Sequence, residues 1–280
     1  MDARFGGVPA VRERLLTDHL YPVRDTVLDK ATLEPGDTVL DVGTGDGLIA
    51  FGALERLGPS GHVVFSDISK DLLDHCRAAA AAEGLLDRCR FVLASADSLA
   101  DIADASVDVV TTRSVLIYVK EKAAALRAFC RVLRPGGRIS LFEPVSVLMR
   151  DPDRLLGYDI TPVKPLTAKL REFFHSVQPP GANPMTDFDE RELIRHAERA
   201  GFTDIHLELR VTVKNGKRPV PWNHALRMSA NPLVPPLGEV LDRVLSPQEI
   251  AEFTAHLKPL VESGAGRDRQ AHAYLVAAKD

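Results

Sequence analysis

Three short stretches of the 280-residue sequence carry residue types suited to holding a small charged molecule. The first is Val39-Leu-Asp-Val-Gly-Thr-Gly-Asp-Gly47, in which an apolar run delivers Asp41 and then turns through Gly43, Thr44, Gly45, Asp46 and Gly47. Glycines are needed where a backbone takes positive φ or where a ligand approaches it closely. A helix that follows directly aims its N-terminal N–H groups and positive dipole end into the same crevice, which suits a carboxylate or a phosphate. The second stretch ends on Asp67, just past the apolar run His62-Val-Val-Phe-Ser66, with Ile68 beside it. The third is Ala94-Ser-Ala-Asp-Ser98, which carries Asp97.

Two ligand classes compete for this set. Gly45-x-Gly47-x-x-Ala50 satisfies the dinucleotide fingerprint, and Asp67 lies at a spacing that suits a nicotinamide ribose. Asp41 and Asp97 shift the balance toward S-adenosylmethionine. Asp41, two residues ahead of the first glycine, can hold a cationic amino group directly or through water. Asp67 can accept both ribose hydroxyls while Ile68 covers one face of adenine, and Asp97 can accept from the exocyclic amine. S-adenosylmethionine carries a sulfonium, an ammonium and one carboxylate but no phosphate, so a mostly acidic rim suits it better than a pyrophosphate.

The elements that must position these residues alternate regularly through the first half of the chain. Buried strands are read at Asp37–Val42, His62–Ser66, Arg90–Ala94, Val107–Thr111 and Arg138–Phe142. Helices lie between them at Leu48–Leu57, from Ser69 to Glu83, and from Glu121 to Arg134 before Pro135-Gly136-Gly137. Such alternation signals a parallel sheet covered on both faces. A helix at Asp189–Ala200 and strands at Asp204–Val213 and Ala271–Ala278 complete it. The expected fold is therefore α/β: a doubly wound seven-stranded sheet, mostly parallel, with helices on both faces. One domain is expected over residues 1–280, with its core at about 33–143, 185–213 and 270–279. Residues 8–31 form a helical lead-in interrupted at Pro22, and lid insertions occupy about 144–184 and 214–268. Within the second insertion Ser246, Pro247 and Glu249 spell a capping box with Pro at the first helical position.

Val39 to Gly47, Asp67, Asp97, Val107-Asp-Val-Val-Thr-Thr-Arg-Ser-Val115 and Leu133-Arg-Pro-Gly-Gly-Arg-Ile-Ser-Leu-Phe-Glu143 resemble, in order, the motifs of class I S-adenosylmethionine-dependent methyltransferases. The resemblance is strong over roughly Leu33 to Phe142 and weak beyond. It implies a seven-stranded sheet whose last strand runs antiparallel between the fifth and sixth. It also implies that Asp41, Gly43, Thr44, Gly45, Asp67, Ile68, Asp97 and Ser98 line the cofactor, and that Thr112-Arg113-Ser114 faces its methionine end. Thr44 stands where many members have Cys.

Methyl transfer from a sulfonium is an in-line displacement, and orientation alone can contribute about 7–11 kcal/mol. An amine, carboxylate or acidic phenol needs no dedicated base, whereas a neutral hydroxyl or carbon acceptor does. Glu143, after the fifth strand, is read as such a base or as a group that caps the turn or pairs with an Arg. His175 is a second candidate base. Arg113 either orients an anionic acceptor or pairs with Asp108 or Glu143. Tyr21 and the single tryptophan, Trp222, are read as substrate-binding aromatics or as packing residues.

The acceptor read from the insertions is an aromatic or natural-product small molecule, or a peptide, methylated at oxygen or nitrogen. The alternatives are carbon methylation of a quinone-type substrate, a nicotinamide-dependent oxidoreductase, and a non-catalytic S-adenosylmethionine-binding module. A net charge of -4 gives no case for a nucleic-acid surface. No metal is expected: Cys76, Cys89 and Cys130 form no Cys-x-x-Cys pair and make poor material for an arsenite-methylating thiolate trio. No run reaches the ~20 apolar residues of a membrane span. The N-terminus lacks an apolar signal segment, and with the sparse, odd cysteine count this predicts a cytoplasmic location.

Overall fold

A computed structural model describes residues 16–179, 181–229 and 234–280. The chain divides into two compact units. The first comprises residues 1–144, 190–209 and 272–280, and the second comprises residues 145–189 and 210–271.

In the first unit, β1 (Thr38–Val42), β2 (His62–Asp67), β3 (Cys89–Leu93), β4 (Val107–Arg113) and β5 (Leu133–Pro144) alternate with α2 (Leu48–Arg56), α3 (Lys70–Ala82) and α4 (Lys122–Val132). Helix α1 (Tyr21–Lys30) precedes them, and α6 (Glu190–Ala200), β6 (Thr203–Asn215) and β7 (Arg267–Ala278) follow the first excursion into the second unit. The last residues of β6 and the first of β7 belong to that second unit. The sheet order is β3-β2-β1-β4-β5-β7-β6. β1 pairs in parallel with β2 and β4, placing Val39 opposite Val63 and Val109. β7 pairs antiparallel with β5, Leu141 opposite Leu275.

The nearly continuous burial of β1, β2 and β4 reflects cover on both faces. Val39, Phe65 and Val109 turn toward α1, α2 and α3, where Val27, Leu28, Ile49 and Ala53 complete one core layer. Leu40 and Val110, one residue out of phase, point to the opposite face. There α4 supplies the buried Leu126 and Phe129 and packs against α6.

Element boundaries follow the expected ones within a residue or two, except at the starts of β5 and β7, and β7 begins at Arg267 rather than Ala271. β5 begins at Leu133 rather than Arg138, because Pro135-Gly136-Gly137 forms an irregularity inside the strand and not a stop. The register shows it: Val107 faces Leu133, whereas Val109 faces Arg138. Pro22 marks a change within the lead-in, from the π-helical turn Leu16–Leu20 to α1. It lies in the first turn of α1, where a missing N–H costs nothing. Residues 8–15 of the expected lead-in lie outside the described residues.

The two insertions form a single compact unit rather than two separate decorations. Its core draws Ile160, Val163, Leu166 and Leu170 from the first insertion and Val240, Leu241, Phe253 and Leu257 from the second. The principal helices are α5 (Lys164–Val177), α7 (Leu237–Val244) and α8 (Pro247–Ser263). The expected capping box starts α8: Ser246 Oγ accepts the Glu249 N–H, and the Glu249 carboxylate accepts the Ser246 N–H at 2.9 Å.

Candidate functional site

The crossover from β1 to α2 is held open by its own backbone. Gly43 has φ +63°, and a Cβ there would stand 2.5 Å from Cγ2 of Val115. Gly45 has φ +58° and opens onto free space, its nearest neighbour being the Gly43 carbonyl at 4.0 Å from where a Cβ would sit. A ligand can therefore reach the Gly45 backbone. The loop is tied to β2 by the Thr44 N–H, which donates to the Ser66 carbonyl at 2.9 Å.

Asp67 bridges two main-chain segments at the end of β2. Its Oδ2 accepts the Gly45 N–H at 2.9 Å and its Oδ1 accepts the Ser69 N–H at 2.9 Å. Beside it, Ile68 is 77% exposed, a large apolar side chain that a planar base can cover. Asp97 lies on the loop after β3 and accepts the Ser95 hydroxyl at 2.6 Å. That loop is fastened from α4. The Arg131 guanidinium donates to the carbonyls of Ser98 and Leu99 at 3.2 and 2.9 Å.

Asp41 sits beneath the glycine loop, almost wholly buried. Thr44 Oγ1 donates to its Oδ2 at 2.7 Å and Thr111 Oγ1 to its Oδ1 at 2.9 Å. Burial raises the Asp41 carboxyl to about 6, against the pull of those two hydroxyls and of the positive charge on Arg113. The Ala50 backbone adds a further, smaller downward pull. Among the described residues Arg113 forms no ion pair with Asp108 or Glu143, the two partners expected for it. Asp108 instead accepts the Thr38 N–H and pairs with Arg134.

Glu143 is equally buried, and both its oxygens are engaged. Oε1 accepts from Thr112 Oγ1 at 3.1 Å and from the Val115 and Leu116 N–H groups at 3.0 Å each. Oε2 accepts the Ile117 N–H at 3.1 Å. Burial raises its pKa, and the three backbone N–H groups and Thr112 counter the shift. Of the roles read for Glu143, these hydrogen bonds match a group that caps a turn. The carboxylate is an anchor for the turn after β4, because that turn leaves three consecutive N–H groups that need an acceptor. Within the same turn Ser114 takes φ +58°, a left-handed conformation uncommon for a side-chain-bearing residue.

The remaining candidates are dispersed. Tyr21 opens α1 in the first unit, with the Arg24 guanidinium 4.7 Å above its ring. His175, on α5, and Trp222 belong to the second unit, where both line one cavity. The pairings of Asp41 with Thr111 and of Glu143 with residues 112–117 escaped the sequence reading. They join residues 70 and 26–31 positions apart that share no local motif.

The sheet order separates the two ligand classes. A dinucleotide-binding sheet of the doubly wound type runs 3-2-1-4-5-6, whereas here an antiparallel strand is inserted between the fifth and the sixth. Residues 33–177 match the family model described as a methyltransferase domain. The chain belongs to the class I S-adenosylmethionine-dependent methyltransferases.

The chain is 35% identical over 133 residues to an arsenite methyltransferase of Halobacterium salinarum, a match that covers 45% of this chain and 34% of the relative. It is 35% identical over 114 residues to a ubiquinone/menaquinone biosynthesis C-methyltransferase of Francisella philomiragia, covering 41% and 45%. The chain thus spans less than half the length of these curated relatives. Among solved structures it is similar to the Haemonchus contortus phosphoethanolamine N-methyltransferase 2 in complex with phosphomonomethylethanolamine and S-adenosylhomocysteine. There the TM-score is 0.55 at 15% identity, covering 92% of this chain and 52% of the other. Among the described residues no helix is long and apolar enough to cross a membrane.

Proposed function

We propose that the protein methylates a small organic acceptor at oxygen or nitrogen. The observation that carries the reading is the placement of Asp67, whose carboxylate sits against the open Gly45 backbone with an exposed apolar Ile68 next to it. The donor set fits S-adenosylmethionine. Asp41 would hold the ammonium, Asp67 the ribose hydroxyls, Ile68 and Asp97 the adenine, and Arg113 the methionine end. When bound, S-adenosylmethionine supplies a methyl group on a sulfonium that needs no further activation.

What the chain adds is alignment. The Gly43–Gly47 loop, Asp67 and the Glu143-anchored turn are held by hydrogen bonds of the chain itself, and groups held this way lose little freedom on binding. Because Glu143 spends both oxygens on the protein, the reading favours an acceptor whose lone pair is available at neutral pH. A weakly basic amine such as an arylamine, a carboxylate or an acidic phenol meets that condition.

The similarity to a quinone-pathway C-methyltransferase supports carbon methylation as a second reading. An arsenic acceptor is disfavoured. Burial pushes the Cys76 thiol up to about 12 and raises those of Cys89 and Cys130, the opposite of what a thiolate trio requires. Three free cysteines also suit a reducing, cytoplasmic setting.

A thermal-shift titration with S-adenosylhomocysteine and the nicotinamide dinucleotides tests the cofactor half of this reading. Stabilisation by S-adenosylhomocysteine alone is expected. Stabilisation by a dinucleotide alone would overturn it.

A further inference from the structure

The second unit carries an open cavity of about 880 Å³ whose lining has two distinct characters. One part is apolar, including Leu156, Phe174, Met185, Trp222, Leu257 and Val261. The other is strongly cationic. Seven Arg and Lys side chains line the cavity against two carboxylates, Asp151 and Asp268. Those two acids are already matched: Asp151 lies 3.7 Å from Arg154, and Asp268 lies 4.0 Å from Lys217. Arg171 donates to the Pro152 carbonyl.

Four guanidinium groups then remain: Arg150, Arg218, Arg267 and Arg269. The Nε of Arg267 is buried and has no hydrogen-bond partner among the described residues. A buried donor left unsatisfied opposes folding until something accepts from it. Four cations sharing one cavity also repel one another. An anion relieves both costs, and a guanidinium fork matches a carboxylate or phosphate with two parallel hydrogen bonds. An apolar wall alone would take a neutral hydrophobe, and a cationic rim alone a free inorganic ion. The two together select a molecule with both parts. The volume lies within the usual range of small-molecule sites, roughly 300–1,000 Å³.

We infer that this cavity binds an amphipathic organic anion, with an apolar or aromatic body against Trp222 and Phe174 and a carboxylate or phosphate held by Arg150, Arg218, Arg267 and Arg269. That this anion is also the methyl acceptor rests on the methyltransferase reading above. The binding itself does not.

Trp222 is the single tryptophan and lines the cavity, so it reports occupancy directly. The full chain is titrated with 8-anilinonaphthalene-1-sulfonate, an amphipathic anion that accepts tryptophan emission. Decanoate, decyl phosphate and decanol then compete for its place. Saturable energy transfer from Trp222 is expected, reversed by decanoate or decyl phosphate at concentrations at least about tenfold below those decanol requires. The tighter of the two anions assigns the headgroup. The triple variant R150Q/R218Q/R269Q changes only exposed side chains, and it is expected to weaken the probe at least about tenfold. Equal competition by decanol, an unchanged triple variant, or no energy transfer from Trp222 would each overturn the inference. S-adenosylhomocysteine affinity, measured on the same samples, separates the two readings. Its loss with anion binding intact sinks the methyltransferase assignment alone, and the reverse sinks the anion site alone.

Discussion

Oδ2 of Asp67 accepts the Gly45 N–H at 2.9 Å, so the carboxylate expected to meet the cofactor also shapes the loop that faces it. Asp67→Ala removes both functions at once. S-adenosylhomocysteine affinity is expected to fall by well over about tenfold, since a charged acceptor to two hydroxyls is lost along with the fixed loop. Isothermal calorimetry on the folded variant checks this, and unchanged affinity would remove Asp67 from the site.

Asp41 makes the site pH-dependent in a defined direction. Its folded-state pKa of about 6 lies above the ordinary 3.8, so between these values the folded state binds more protons than the unfolded one. Its contribution to stability therefore declines as pH rises from 4 to 6, by about 3 kcal/mol in all. Holding an ammonium needs the ionised form, which makes S-adenosylhomocysteine affinity fall by about tenfold per unit as pH drops below 6. Asp41→Asn is expected to flatten both dependences, as followed by denaturant melts and calorimetry across that range. Slopes that survive the substitution would assign them to another group.

Glu143→Gln distinguishes an anchor from a base without knowledge of the acceptor. A glutamine can accept on one oxygen only, so at least one backbone N–H among Val115, Leu116 and Ile117 loses its partner. A stability loss of about 1–3 kcal/mol is expected, with weaker S-adenosylhomocysteine binding as the turn after β4 loosens. A base would leave both quantities where they are.

Gly43 and Val115 form a second coupled pair. Gly43→Ala is expected to cost about 2–4 kcal/mol, from the left-handed backbone and the clash with Cγ2 of Val115. Val115→Ala in the same chain relieves the clash but not the backbone strain. The double-mutant cycle should show a coupling of about 1–2 kcal/mol in denaturant melts. Strict additivity would mean that the two side chains do not meet.

The parts of this molecule legible in sequence are those governed by neighbours in the chain. Val39 to Gly47 declares a strand, a turn and a helix because burial and positive φ are demanded within nine residues. The Ser246–Glu249 capping box is reciprocal across three residues. Glu143 was ambiguous for the opposite reason, since its acceptor role is set by N–H groups 26–28 positions away. Pro135-Gly136-Gly137 carries the chemistry of a stop, yet β4 accommodates it as a shift in register. The cationic cavity was invisible because its arginines come from both insertions, from Arg150 to Arg269, with no local cluster to mark them.

The position of β7 also has a consequence for how the chain is made. β6 ends at Asn215, but the strand it neighbours starts at Arg267 and closes the sheet from between β5 and β6. During synthesis β6 must emerge and wait, its ladder unpaired, while some fifty further residues leave the ribosome. Leu209, Val211 and Val213 stay substantially exposed along it even in the finished fold. That interval is when two nascent chains can exchange strands, and a chain cut short before Arg267 stays in it permanently.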